Sequence, residues 1–313
     1  MKAIRIREFG KPPVLEELPD PSLEPGQVLV DVMAAGVNPV DAYVATGTYA
    51  MKPDLPYTPG MDAAGVVREV GSGVTQVAVG DRVIVCGTAA GPLQGAVATA
   101  CVCEESQLMS LPEQLSYEQG AAVNIPYVTA FRALLDHASA KPGDRVLIRG
   151  GTGAVGLAAV QIARAHKLPV YATGGSEQGR AMLEPMVERV TPHDVVDFDP
   201  KPTIILTMLA NKSLPLDLET IAEGGRIVVI GSRGDVSISP RKLMGTRVTL
   251  KGMTYFDGGD AGVRRAMGAL QEGLDRGDLK PKIQKTFDLA DVEAAWKYVM
   301  DQPSAGKVVL TVD

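Results

Sequence analysis

Three glycines stand at G-x-G-x-x-G spacing in Gly151-Thr152-Gly153-Ala154-Val155-Gly156. An aliphatic run at 145–148 precedes them and a small, apolar run at 157–163 follows. Strand, tight turn and helix opening, in that order, form a unit that receives the pyrophosphate of a dinucleotide. The first glycine permits the sharp turn, the second lets backbone approach the phosphates, and the third lets the helix pack on the strand. The phosphates then meet free N–H groups at the helix N-terminus. A glycine-rich turn that binds nothing has the same composition; the flanking strand and helix favour the binding unit.

The aliphatic run at 168–173 reads as the next strand. An NAD site places Asp or Glu at its end, about 20 residues beyond the turn, to hold the ribose 2′-hydroxyl. Gly174 stands there instead, and the chain continues Gly175-Ser176-Glu177-Gln178-Gly179-Arg180. The Ser176 hydroxyl and the Arg180 guanidinium could hold a 2′-phosphate, which favours NADPH. Arg180 would serve equally as a solvated charge beside Glu177. The missing acid is the stronger half of the argument.

These motifs need a scaffold, and the chain has the length for it. Its 313 residues suggest about two domains with ample core. A net charge of −6 without any basic block gives no footprint for nucleic acid or an anionic membrane. No apolar run reaches membrane-spanning length, and the opening MKAIRIREFG alternates like a strand rather than a signal peptide, so a cytoplasmic protein is expected. Cys86, Cys101 and Cys103 form no C-x-x-C and read as small buried thiols.

Residues 1–122 have an all-β texture. Short aliphatic runs at 28–33, 64–70, 82–85 and 96–102 are separated by turn signals such as Pro25-Gly26 and Gly80-Asp81. Residues 117–140 turn to helical spacing, broken by Pro126, and lead into the glycine unit. Further strands at 204–208, 226–230 and 248–252 imply a parallel, doubly wound α/β sheet. Helices at 261–276 and 291–300 and a strand at 307–312 close the chain. The nucleotide segment, 123–258, therefore reads as inserted into a β-rich domain of 1–122 plus 259–313, with the cleft between them as the expected site.

Several motifs together resemble one family. They are Gly36-Val37-Asn38-Pro39-Val40-Asp41-Ala42-Tyr43, Leu55-Pro56-Tyr57-Thr58-Pro59-Gly60-Met61-Asp62-Ala63-Ala64-Gly65, Gly80-Asp81-Arg82-Val83, Asn124-Ile125-Pro126-Tyr127-Val128-Thr129-Ala130 and Gly231-Ser232-Arg233-Gly234. They resemble the zinc-independent, zeta-crystallin-like quinone oxidoreductases of the medium-chain dehydrogenase/reductase superfamily. The resemblance implies a Rossmann sheet inserted into a GroES-like catalytic domain. It implies NADPH contacts at Thr152, Gly153, Ala154, Val155, Gly175 and His193, which join Gly151, Ser176 and Arg180 as read from the motif, with Tyr43 and Thr129 also expected to contact the cofactor. On the ribose and nicotinamide side it adds Asn211, Ile230, Gly231, Ser232, Arg233, Thr254, Tyr255 and Phe256. Tyr43 and Asn38 would face the substrate as the catalytic pair.

Zinc-dependent relatives carry metal ligands at the positions of Asn38, Met61 and Ile125, none of which is a thiolate or imidazole here, so no metal is expected. The resemblance implies reduction of a quinone by NADPH. Reduction of an enone or alkenal stays open, as does NADPH binding without turnover. A homodimer through an edge strand at 248–255 is also implied. The family ordinarily has about one helix more between His193 and Asn211. Pro192, Pro200 and Pro202 discourage a helix there, so an extended strap across the sheet and a more exposed adenine side are expected.

Overall fold

The computed structural model describes residues 1–91, 94–257 and 259–312. Its strands follow in the order β1 (Lys2–Arg5), β2 (Val14–Glu17), β3 (Gln27–Val37), β4 (Asp62–Val70), β5 (Arg82–Cys86), β6 (Ala100–Glu104) and β7 (Leu108–Ser110). Then come β8 (Val146–Arg149), β9 (Val170–Thr173), β10 (Arg189–Thr191), β11 (Ile204–Thr207), β12 (Arg226–Val229), β13 (Thr249–Gly252), β14 (Ile283–Asp288) and β15 (Lys307–Thr311). Two compact units emerge. One comprises Met1–Ile125, Lys280–Gln302 and Gly306–Asp313, the other Pro126–Leu279 and Pro303–Ala305. Among the described residues no helix is long and apolar enough to cross a membrane. The three cysteines are free and buried.

In the β-rich unit the main sheet runs β14-β15-β3-β4-β5-β7, and β6 pairs with β3 outside that path. Strand β3 is long enough to serve three neighbours: β6 along its first half, β15 along its last residues, and β4 throughout. Register shifts between Leu29 and Val30 and between Val32 and Ala34 bend it. The pairs Val37–Val308 and Ala35–Ala63 place Asn38, Asp62 and Lys307 at the same end of adjacent strands.

The second unit is a parallel sheet in the order β10-β9-β8-β11-β12-β13, the doubly wound dinucleotide arrangement. Strands β8, β9 and β11 are buried throughout, which is why they are legible as continuous aliphatic runs. Strand β10 has three residues and no such run, so nothing in the local pattern marks it. Helix Ala210–Thr220 is equally unmarked, because it carries Pro215 inside and lacks a side-chain cap. The region expected as one broken helix consists of helix Tyr117–Gly120 followed by π-helical turns Asn124–Val128 and Arg132–His137 around Thr129–Phe131. Pro126 lies in the first of these turns, where a wider ladder absorbs the missing N–H.

No helix lies between Pro192 and Ile204, as expected. The crossover from β10 to β11 is an extended strap, and two features hold it. Phe198 is buried and stacks on Tyr171 of β9, with ring centroids 5.3 Å apart, in the apolar cluster that contains Leu147, Ile205, Leu214 and Ile227. Arg149, at the end of β8, donates from Nη1 to the His193 and Val195 carbonyls at 2.9 and 3.0 Å. It also donates from Nη2 to Thr220 Oγ1 at 3.0 Å and from Nε to Asp217 Oδ1 at 2.7 Å. Arg149 is 2% exposed and Asp217 0%.

The expected domain junction needs correcting. Gly258, where it was placed, lies outside the described residues, and helix Gly259–Asp275 belongs with the nucleotide unit rather than the β-rich one. Buried Arg132 explains this. It donates to the Tyr255 carbonyl at 2.6 Å and pairs with Asp257, while Asp136 holds Arg265 of the helix at 2.5 Å.

Burial pushes the Asp217 carboxyl up, and Arg149 opposes that shift by its charge and its hydrogen bond. Replacing Arg149 by Met leaves an uncompensated buried carboxylate and should cost about 3–5 kcal/mol of stability. The pair Arg149→Met, Asp217→Leu should recover most of it. Urea denaturation midpoints test this; a single variant as stable as wild type would show that the strap has another anchor.

Candidate functional site

The cofactor residues expected from the glycine unit onward, apart from Tyr43 and Thr129, fall just beyond the C-terminal ends of the parallel strands. Residues 151–155 follow β8, 175–180 follow β9, and His193 follows β10. Asn211 follows β11, 230–233 follow β12, and 254–256 follow β13. That end of a doubly wound sheet is where ligands bind. Loop contacts join the neighbouring groups. Asn211 Oδ1 accepts from the Arg233 N–H at 3.0 Å, and the Ala210 N–H donates to the Gly231 carbonyl at 2.8 Å. The Ser232 hydroxyl donates to the Gly234 carbonyl. The Thr254 N–H donates to Asp257 at 2.9 Å, and the Tyr255 and Phe256 rings meet edge to face. Thr129 is buried in the same unit.

The glycines of the fingerprint divide their work differently from expectation. The positive φ of the turn is at Gly150 (84°), not Gly151. Gly151 is required by packing, since a Cβ there would lie 2.9 Å from Ala172 Cβ. A Cβ at Gly156 would strike the Gly150 carbonyl oxygen. Gly153 has no such internal reason: its φ is −73°, and a Cβ would meet nothing nearer than 3.7 Å. It opens in front of helix Ala154–Ala165, whose first-turn N–H groups have no intrahelical acceptor. A cradle that a Cβ would fill, at a helix N-terminus, fits a pyrophosphate.

The expected adenosine side is closely packed as well. A Cβ at Gly174 would lie 3.1 Å from both Arg180 Cγ and Thr152 Cγ2, so no acidic side chain fits that slot without displacing them. Arg180 donates to the Gly174 and Gly175 carbonyls at 3.1 and 3.3 Å. Ser176 caps helix Glu177–Leu183 by accepting from the Gly179 N–H, which leaves its own O–H to donate. The His193 ring lies over Gly175, and its Nδ1 is 2.8 Å from Thr173 Oγ1, which also accepts from the Gly150 N–H. Partial burial, then Arg149 and Arg180, hold the His193 pKa below the ordinary value. The rim formed by Gly175, Ser176 and His193 is exposed.

In the β-rich unit, Asn38 precedes helix Pro39–Ala45 and is 5% exposed. Its side-chain carbonyl accepts from Lys307 Nζ at 2.6 Å, and its Nδ2 donates to Asp62 Oδ2 at 2.8 Å. Much of its hydrogen-bonding capacity is therefore spent inside the unit, which an expectation of a substrate-facing amide did not include. Tyr43 lies on the same helix and is half-buried. The positions equated with metal ligands do converge: the Ile125 N–H donates to Asp62 Oδ1 at 3.0 Å, and Asn124 donates to the Met61 carbonyl at 3.2 Å. They bring together an amide, a thioether and an alkyl chain. Asp62, Lys307 and Asp41 lie beside Asn38, and Arg149 beside the glycine turn and His193, without having been singled out as site residues. The one signal that could have found them is a charge inside an otherwise aliphatic run, which must find a partner.

A dinucleotide-type parallel sheet interrupting a β-rich unit defines a medium-chain dehydrogenase/reductase. Residues 24–113 match the family model described as the alcohol dehydrogenase GroES-like domain, and 186–310 the one described as zinc-binding dehydrogenase. The quinone oxidoreductase of Lama guanicoe is 41% identical over 324 aligned residues, covering 99% of this chain and 97% of its own length. That of Homo sapiens is 40% identical with the same coverage. The solved quinone oxidoreductase of Thermus thermophilus, determined also with NADPH, matches at a TM-score of 0.85 and 32% identity, covering 99% of this chain and 100% of that one. The chain belongs to the zeta-crystallin-like quinone oxidoreductase family.

Asp41 gives this region a pH dependence. Its carboxylate accepts from the Asn38 N–H at 2.8 Å, and burial raises its pKa to about 7, with the Asn38 N–H opposing, Asp62 adding and Lys307 opposing. The unfolded chain releases this proton near pH 4, so stability falls as pH rises from about 4 to about 7 and is level beyond. Asp41→Asn keeps an acceptor and removes the charge. It should match wild type near pH 4 and exceed it at pH 8 by on the order of 2–4 kcal/mol. Denaturation at both pH values measures this, and equal stabilities at pH 8 would show that the carboxyl is ionised without penalty.

Proposed function

We propose that this chain reduces quinones with NADPH and without a catalytic metal. Identity of 39–41% to curated quinone oxidoreductases over nearly the whole chain supports the acceptor class. The observation that carries the choice of cofactor is the crowded slot at Gly174, which holds no acid and lies beside Arg180, Ser176 and His193. The donor set supports the metal-free reading. Asn38, Met61 and Ile125 offer neither thiolate nor imidazole, and the Lys307 ammonium already lies 2.6 Å from the Asn38 oxygen.

Bound NADPH supplies a hydride. The residues beyond β8 and β9 hold its phosphates: Thr152, Gly153, Ala154 and Val155 through backbone N–H groups, and Ser176, Arg180 and His193 around the 2′-phosphate. Loops 211, 230–233 and 254–256 orient the ribose and nicotinamide end. Tyr43 is the residue we assign to the substrate oxygen. It is half-buried, and among the described residues its phenol oxygen has no hydrogen-bond partner, so it is free to donate where negative charge develops.

We also infer a homodimer through β13. All four residues of this edge strand are exposed, and Leu250 among them and nearby Met244 present apolar surface. An unpaired edge of this kind can accept a second copy.

The testing experiment follows NADPH oxidation by absorbance with 9,10-phenanthrenequinone and with a 2-alkenal in parallel, and with NADH as control. Turnover of the quinone with NADPH is expected. Reduction of the alkenal alone would move the chain to the double-bond reductases, and neither would leave a binding protein. Arg180→Ala should reduce the preference for NADPH over NADH by about tenfold, or about 1.4 kcal/mol; an unchanged preference removes Arg180 from the phosphate site. Tyr43→Phe should lower kcat with little effect on NADPH affinity, and unchanged kcat would exclude the phenol from the reaction.

A further inference from the structure

Lys307 is the first residue of β15 and is 3% exposed, and Asp62 is the first of β4 and is 0% exposed. Their charged groups meet at 2.7 Å. A charge pair this deep has a large desolvation cost that hydrophobic substitutes avoid, so its presence beside Asn38 calls for a reason other than stability. Both partners also bond the Asn38 amide. Lys307 Nζ donates to Asn38 Oδ1 at 2.6 Å, and Asp62 Oδ2 accepts from Asn38 Nδ2 at 2.8 Å. Asp62 Oδ1 is taken by the Ile125 N–H. Strand β3 makes room for the cluster by carrying Gly36, where a Cβ would lie 2.7 Å from Asp62 Cβ and 3.0 Å from Lys307 Cε.

The charges leave the amide one orientation. Turned over, Asn38 would set its oxygen against a carboxylate and its NH2 against an ammonium. In the observed orientation Lys307 holds the amide oxygen and Asp62 one amide hydrogen, with the Asp41 carboxyl beside the same side chain. The ammonium on the oxygen also polarises the amide and strengthens its NH2 group as a donor. A donor fixed in advance costs no reorganisation when charge develops on a substrate oxygen.

We propose that Lys307 and Asp62 are positioning residues that present Asn38 as a fixed, polarised N–H donor to the oxygen of the acceptor. The proposal rests on the reductase reading above. When hydride reaches the acceptor's conjugated system, an electron pair moves onto the oxygen. Asn38 donates to that oxygen, which afterwards takes its proton from water. Lys307 gives up no proton and touches no reacting atom.

The test is a double-mutant cycle on the full-length protein, with kcat for the acceptor that the wild type turns over and NADPH affinity by fluorescence as separate readouts. Lys307→Met should lower kcat about 10–100-fold and leave the NADPH dissociation constant unchanged. Asn38→Ala should lower kcat by a similar factor. Because Lys307 acts through Asn38, Lys307→Met should cost nothing further in the Asn38→Ala background, and Lys307→Arg should restore part of the loss. Independent, multiplying losses would overturn the proposal, as would unchanged kcat in Lys307→Met. If Lys307→Met does not fold, Lys307→Met with Asp62→Leu removes both charges together and carries the same comparison. Failure of both to fold would confine the pair to a structural role and overturn the proposal. A wild type that reduces neither acceptor would overturn the reductase reading itself, and this proposal with it.

Discussion

A charge buried in a sheet must find an opposite charge, because little solvent remains to stabilise it. Each unit of this chain is arranged around one such cation. In the nucleotide unit it is Arg149, paired with Asp217, and in the β-rich unit it is Lys307, paired with Asp62. Both stand at strand ends, next to residues to which we assign a role in binding or reaction. Arg149 immediately precedes the phosphate turn, and Lys307 holds the amide of Asn38.

Arg149 explains how the sheet tolerates its short crossover. A helix would satisfy its own backbone and cover the sheet with an apolar face. The strap does both jobs piecemeal, through Phe198 stacked on Tyr171 and through two carbonyls bonded to Arg149. The same contacts place His193 over Gly175, so the device that replaces the helix also forms one wall of the proposed adenosine side.

The glycines around the phosphate turn separate fold from function. Gly150, Gly151 and Gly156 are demanded by backbone conformation or by neighbours at hard contact. Gly153 is demanded by nothing among the described residues, which points to a ligand as the reason for it. Gly174 reports the opposite case, a position crowded by Arg180 and Thr152, which would have to shift for a larger residue.

Much of this was legible in the chain itself. Fully buried strands such as β8, β9 and β11 appear as aliphatic runs, the glycine spacing marks the turn between β8 and its helix, and the prolines after Thr191 discourage a crossover helix, because these signals are local to a few residues. Strand β10 and helix Ala210–Thr220 were hidden because neither has a strong local pattern. Tertiary structure alone decided that Asn38, Asp62 and Lys307 meet. Asn38 and Asp62 are 24 positions apart and Asp62 and Lys307 are 245 apart, and only the pairing of β3 with β4 and β15 makes them neighbours. The sequence determined that a charge lay in each aliphatic run; which partner it found, and which side chain it therefore holds in place, is set by strand register, and no local pattern encodes that register.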